Sequence, residues 1–183
     1  TCPFRDMHIP GAGVGGHCLP KDPWLLAYGG RTAEPHLIPV ARAINDGMPF
    51  HMLDLTEDAL HEAGVKRKDA VVAVLGASFL QDSGDTRNSP SVPVIEGLRT
   101  AKQLRVHDPF VEEMAGVKVT DDLEDALTGA DVAVFMVSHK EYSKLSPARL
   151  KRLMRTFAVV DGRNIFDARA MQKAGFVYRG LGK

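Results

Sequence analysis

Residues 9–24, IPGAGVGGHCLPKDPW, place a thiol among groups that can activate it. Cys18 follows Gly11, Gly13, Gly15 and Gly16, stands beside His17, and precedes Lys21 by three residues. A cysteine just ahead of a helix N-terminus, with cations nearby, has a setting that favours the nucleophilic thiolate. The helix start is read at Asp22-Pro23, an N-cap followed by a proline suited to the first helical position. The glycines permit positive φ and close approach of another backbone or a ligand. Two competing readings are weighed. A lone cysteine is commonly a small buried hydrophobe. A zinc site could be drawn from Cys2, His8, His17 and Cys18, but its spacings match no ribbon or finger, so no metal is expected.

Gly11-x-Gly13-x-x-Gly16 also has the spacing of a dinucleotide-binding loop. That fingerprint needs a strand before the glycines and a helix opening among them. Only ten residues, including Pro3 and Pro10, precede Gly11, and the helix is expected no earlier than Asp22. The match is rejected as a cofactor loop.

A second group of polar residues follows apolar runs further along. Gly76 to Pro90 contains Phe79, Asp85, Arg87 and Ser89; His107-Asp108, Ser138-His139 and Asp161-Gly162-Arg163-Asn164 follow later runs. The 77–89 loop is long for its kind, a length that marks functional or mobile segments. Its exit, Ser89-Pro90, reads as a helix N-terminus where a phosphate would be welcome. Arg87 and Arg163 could grip that phosphate. The plainer alternative pairs them with Asp85 and Asp161; two arginines on one edge favour the anion site.

The elements that must position these groups are read from pattern. Leu37, Ala41, Ile44 and Met48 have helical spacing in a segment starting near Glu34, interrupted at Gly47 and Pro49, resuming through Leu53 and Leu60, and ending at Gly64. After Lys66–Asp69 the texture changes. Val71–Leu75, Leu104–Val106, Val132–Val137, Phe157–Val160 and Phe176–Tyr178 read as buried strands. Helical stretches at 94–101, 123–127, 147–154 and 168–174 alternate with them. The expected fold class is α/β: a Rossmann-like, doubly wound parallel sheet at 69–183 preceded by a helical segment at 1–68.

Composition narrows the function classes. Twenty-three basic residues balance 23 acidic ones, so no net field favours nucleic acid or an anionic membrane. No apolar stretch is long enough to span a bilayer, and two cysteines make no disulfide framework, which together suggest a cytoplasmic protein. The chain opens TCPFRD without methionine, the mark of a piece of something longer.

With these residues assembled, GVGGHCLPKDPW closely resembles the nucleophile motif of the UDP-glucose/GDP-mannose dehydrogenase family. VARAINDGMP resembles the start of that family's long central helix, and GDTRNSP and VVDGRNIFD resemble two signatures of its C-terminal domain. His17 and Asp22-Pro23-Trp24 are most similar to the UDP-N-acetylhexosamine branch, archaeal-type UDP-N-acetylmannosamine dehydrogenases in particular.

The resemblance implies an NAD-dependent, two-step oxidation of a sugar C6 alcohol to a carboxylate. Cys18 would carry the thiohemiacetal and thioester, and Asp22 would orient water or relay a proton. It also implies that Gly11, Gly13, Gly15, Gly16, Phe79 and Arg163 contact the UDP-sugar, and that Lys21 and Arg87 lie against NAD. Arg5 would reach the neighbouring subunit's sugar site in a homodimer built on the central helix. Leu80 departs from the lysine usual there. The family's N-terminal NAD-binding domain has no counterpart in these residues, so the chain reads as a C-terminal portion, inactive when isolated. The alternative from another class is a stand-alone nucleotide-sugar binding module; a thiol at Cys18 argues against it.

Overall fold

The computed structural model describes residues 9–30 and 35–183. Seven strands form one sheet: β1 (Val71–Leu75), β2 (Gln103–His107), β3 (Glu113–Met114), β4 (Val117–Thr120), β5 (Val132–Phe135), β6 (Ala158–Asp161) and β7 (Val177–Gly180). Their order is β3-β4-β2-β1-β5-β6-β7, parallel except where β3 meets β4. Counted without β3, the strands follow the 3-2-1-4-5-6 order of a doubly wound Rossmann sheet, as expected.

The apolar runs explain the layers. Every residue of β1, β5 and β6 is buried, because helices cover both faces. Alternation then sorts the side chains. Val72, Val74, Val132, Val134 and Val160 join Met52, Ala59 and Leu60 of α2 (Leu37–Glu62) and Val94 and Ile95 of α3 (Ser91–Gly97). Ala73, Leu75, Phe135 and Val159 face Leu123 and Leu127 of α4 (Leu123–Leu127), Leu150 of α5 (Pro147–Leu153) and Met171 of α6 (Ala168–Lys173).

Three expectations need correction. α1 spans Cys18–Gly29, so the helix begins four residues before Asp22, and Pro23 lies inside it. Pro20 accounts for this: in the first turn no amide has an intrahelical partner, so a proline there is tolerated. The same finding removes half the reason for rejecting the glycine fingerprint, since a helix does open just after Gly16; residues 9–17 nonetheless contain no strand. Second, α2 is one helix of 26 residues, passing through Gly47 and Pro49 without a break. Tertiary contacts override the local preference: Pro49 is buried, and Met52, Thr56, Ala59 and Leu60 anchor the second half of the helix. Third, the β3–β4 hairpin, turning at Ala115-Gly116, was not read from the sequence.

Among the described residues, no helix is long and apolar enough to cross a membrane.

Candidate active site

The glycine loop docks onto the carboxyl edge of the sheet, and the glycines make that approach possible. A Cβ on Gly15 would lie 2.5 Å from Phe79 Cβ and 2.7 Å from the Asn88 carbonyl; one on Gly11 would lie 2.5 Å from Arg163 Nη1. Real Cβ atoms do not sit so close: a side chain at Gly15 would push the loop away, and one at Gly11 would displace the tip of Arg163. Gly13 and Gly16 adopt φ of 121° and 91°, a region that favours glycine. Gly16 N–H donates to the Arg87 carbonyl at 2.7 Å, and Asn88 Nδ2 donates to the Gly16 carbonyl at 2.9 Å. The loop thus runs from Arg163 at Gly11 to Arg87 and Phe79 at Gly15–Gly16.

Starting α1 at Cys18 changes the chemistry of its first turn. Cys18, Lys21 and Asp22 stand at i, i+3 and i+4, on one face of the helix. Cys18 is exposed. Lys21 Nζ lies 2.8 Å from Asp22 Oδ1. The hydrogen bond from Lys21 holds the Asp22 carboxyl below its ordinary range, and the Cys18 thiol contributes less. Asp22 is a carboxylate at neutral pH, one helical turn from the thiol. Lys21 and Arg87 both stand near enough to sense the charge of a Cys18 thiolate. Had α1 begun at Asp22, this shared face would not exist.

The two arginines part company. Arg87 folds back on Asp85, its Nε 2.9 Å and 3.1 Å from the two carboxylate oxygens. This clasp lowers the Asp85 pKa to about 2. For Arg87 the plainer ion-pair reading holds. Asp161 does not pair with Arg163 in that way. Its oxygens accept from the backbone N–H groups of Arg163 and Phe166, both at 3.0 Å, and from Tyr178 Oη at 2.9 Å. The Arg163 guanidinium has no carboxylate within ion-pair distance among the described residues. Burial pulls its pKa below the arginine norm, partly offset by the charge of Asp161.

Nor is the amino end of α3 an open phosphate site. Ser91 N–H donates to Ser89 Oγ at 3.2 Å, Val92 N–H donates to the Ser89 carbonyl at 3.2 Å, and a Cβ on Gly13 would touch Pro90 at 3.0 Å. The helix begins at Ser91, with Pro90 as its cap residue, and has only seven residues. The chain itself fills that position.

The sequence marked Asp108 and His139 as polar residues on this edge but gave them no role. Both are fully buried. Asp108 accepts from the N–H groups of Ala77 (2.8 Å), Ser78 (3.0 Å) and Phe110 (2.9 Å), and from His139 Nε2 (3.1 Å). His139 Nδ1 accepts from Asp82 N–H at 2.9 Å, which fixes the neutral tautomer. Burial disfavours the Asp108 charge, but these donors outweigh it and leave its pKa lowered. In a dinucleotide-binding Rossmann sheet, an acid near this strand end holds a ribose. Here the acid is turned inward to fix the start of the 77–89 loop.

Between the glycine loop and α2 opens a cleft of about 730 Å³, bordered by Ile9, Gly11, Val14, Ile44, His51 and Asn164. Asn164, at φ 53°, donates through Nδ2 to the Leu181 carbonyl at 3.2 Å, while its Oδ1 is buried without a partner. Arg5, Cys2 and His8 lie outside the described residues. Among the described residues, no three His, Cys, Asp or Glu side chains are grouped to hold a metal ion.

Residues 73–168, just over half of the chain, match the UDP binding domain of the UDP-glucose/GDP-mannose dehydrogenase family, and residues 3–47 match its central domain. A UDP-N-acetyl-D-mannosamine dehydrogenase of Pyrococcus horikoshii is 38% identical over 184 residues, covering 100% of this chain and 42% of the relative. An NDP-N-acetyl-D-galactosaminuronic acid dehydrogenase of Ralstonia nicotianae is 31% identical over 166 residues, covering 87% of this chain and 37% of the relative. The chain therefore spans about two fifths of the length of these curated relatives. The solved Pyrococcus horikoshii UDP-D-ManNAc dehydrogenase superposes with a TM-score of 0.86 at 38% identity, over 99% of this chain and 41% of that one. An NDP-N-acetyl-D-galactosaminuronic acid dehydrogenase from Methanosarcina mazei gives a TM-score of 0.87 at 37% identity, over 97% and 40%.

Proposed function

The chain belongs to the UDP-glucose/GDP-mannose dehydrogenase family, and from that premise we propose that it supplies the nucleophile and the UDP-sugar site of an NAD-dependent UDP-N-acetylhexosamine 6-dehydrogenase. The observation that carries this reading is the single face shared by Cys18 and Asp22, on a helix whose preceding loop is seated on Phe79 and Arg163. The names of the relatives favour an N-acetylated nucleotide hexosamine, with UDP-N-acetylmannosamine first among them.

In this reading residues 1–68 present the thiol and carry the homodimer contact along the central helix, with Arg5 reaching into the partner's sugar site. Residues 69–183 bind the UDP moiety. The cleft beside the glycine loop has the volume of a small-molecule site. Arg163, with no carboxylate within ion-pair distance among the described residues, is the cation offered to the UDP-sugar, alongside Phe79 and the backbone of Gly11, Gly13, Gly15 and Gly16. Lys21 and the exposed Arg87, both near enough to sense the charge of Cys18, are the cations this reading assigns to an anionic cofactor. NAD would supply the hydride acceptor, and because each molecule takes one hydride, two would be bound in turn over the four-electron conversion of alcohol to acid.

The remaining work falls to the chain's own residues. Cys18 adds as thiolate to the C6 aldehyde, forming the carbon–sulfur bond of a thiohemiacetal and keeping the aldehyde from escaping. Oxidation of that adduct leaves a thioester on Cys18. Asp22, ionised and one turn away, orients the water that cleaves the carbon–sulfur bond, releasing the uronate and returning the thiol.

The reading is tested on a Cys2→Ser chain by following iodoacetamide labelling of Cys18 with and without UDP-N-acetylmannosamine. Saturable protection by the UDP-sugar, lost in Arg163→Leu, is expected. Labelling that ignores the UDP-sugar at millimolar concentration sinks the proposal.

A further inference from the structure

We propose that α2 is a clamp on the thiol-bearing loop, with Arg42 and Asn45 acting as positioning residues for Cys18. The inference rests on Cys18 being the reacting group. Arg42, Asn45 and Asp46 stand at i, i+3 and i+4, on one face of α2. Asn45 Oδ1 accepts from Val14 N–H at 3.0 Å, four residues before the thiol. Arg42 Nη1 donates to the Leu19 carbonyl at 3.3 Å, one residue after it. Arg42 Nη2 is fixed in turn by Asp46 Oδ1. One face of one helix therefore holds the chain on both sides of Cys18.

Two prolines complete the device. Pro23 lies inside α1 and Pro49 inside α2, and each lacks the N–H that would serve the carbonyl four residues earlier. Those carbonyls belong to Leu19 and Asn45. Leu19 gives its oxygen to Arg42. The Asn45 oxygen faces Gly13, where a Cβ would lie only 3.5 Å away. Prolines that weaken each helix on its own thus open carbonyls at the seam between helix and loop. Arg42 is 9% exposed, and its Nε is buried without a partner. A buried guanidinium that leaves one donor unmet is held there for what its other nitrogens grip.

The clamp sets how Cys18 faces the cations of Lys21 and Arg87, and this can be read without nucleotide or cofactor. In a Cys2→Ser chain at low ionic strength, the ratio of alkylation rates with iodoacetate and iodoacetamide reports the positive field at the thiol. Asn45→Leu, which removes the acceptor, is expected to lower that ratio at least about threefold, as is Arg42→Met; Asn45→Gln, which keeps a neutral amide acceptor, stays within about twofold of the parent. Hydrogen exchange at β1 and β5 confirms that the sheet is intact. If Arg42→Met fails to fold, Asn45→Leu alone decides. A ratio in Asn45→Leu within about 1.5-fold of the parent overturns the clamp. A chain that passes this test but shows no protection of Cys18 by UDP-sugar fails the proposed function and not the clamp.

Discussion

The sheet and the first helix are opposite cases of how a segment is held in place. In β1, β5 and β6 every side chain is buried, and the core continues through helices on both faces. α1 has no buried residue, although it carries Leu19, Trp24, Leu25 and Leu26. The first half of α2 resembles it, with Leu37, Val40 and Ile44 all more than half exposed. The sheet is stabilised by area removed from water, whereas the thiol-bearing segment, beyond the single core residue Ala12, is held by a handful of directed contacts through Val14, Gly16 and Leu19. Chemistry placed on the second kind of segment can be disturbed without unfolding the first.

The largest expected effect sharpens that contrast in stability. Phe135→Ala empties a site packed against Tyr142 and Phe166 and is expected to lower stability by about 3–5 kcal/mol, while Leu25→Ala stays within about 0.5 kcal/mol in dilute urea titrations. Equal losses would break the comparison. Gly15→Ala should separate the two regions in function. The added Cβ meets Phe79 and the Asn88 carbonyl, so UDP affinity by calorimetry is expected to fall at least about tenfold while amide protection in the sheet persists.

Two smaller effects follow from titration. Tyr178 is raised above the ordinary tyrosine range by burial, and by Asp161, to which it donates. Its folded-state pKa exceeds its unfolded one, so its contribution is fully present below about pH 10 and is lost as pH climbs toward the folded value. Tyr178→Phe removes that alkaline component and costs about 1 kcal/mol at neutral pH, read from paired melts. The Asp85 carboxyl, held near 2 by Arg87, behaves in the opposite sense. Its contribution is present above about pH 4 and fades as pH falls toward 2. Asp85→Asn should leave the sheet untouched and abolish that acid titration in the amide signals of the 77–89 loop; an unchanged acid titration in the variant refutes the clasp.

How much of this was legible in the sequence also divides by region. Contiguous valine runs announce β1, β5 and β6, because a strand covered on both faces needs no polar alternation. The β3 strand has only Glu113 and Met114, too few for any period to show, and its turn puts Ala115 at φ 49°, a conformation that alanine does not announce. The start of α1 was misplaced because Asp22-Pro23 imitates a cap and first turn, whereas Pro20 marked the true one. Of the candidate site, the thiol, its glycines and Arg163 were singled out by residue type and spacing, and Phe79 by the family resemblance alone. What could not be read was which group each would touch. Arg87 turns to its own Asp85, the plainer of the two readings left open, and Asp108 turns inward to the amides of Ala77 and Ser78, a choice set by packing against chain about 30 residues earlier.

The unbroken course of α2 has a mechanical meaning. Between Met52, fixed in the core, and Leu37 at the outer end lie about 22 Å of continuous helix, a lever anchored at Met52 and crossing Pro49 on the way. A change of about 5° in its tilt would carry the far end roughly 2 Å, and the residues midway by about half that. The first half of this lever is therefore aimed by the sheet even though it barely touches it, and a substitution under Met52 or Leu60 would be felt as displacement at the outer end before it was felt as unfolding.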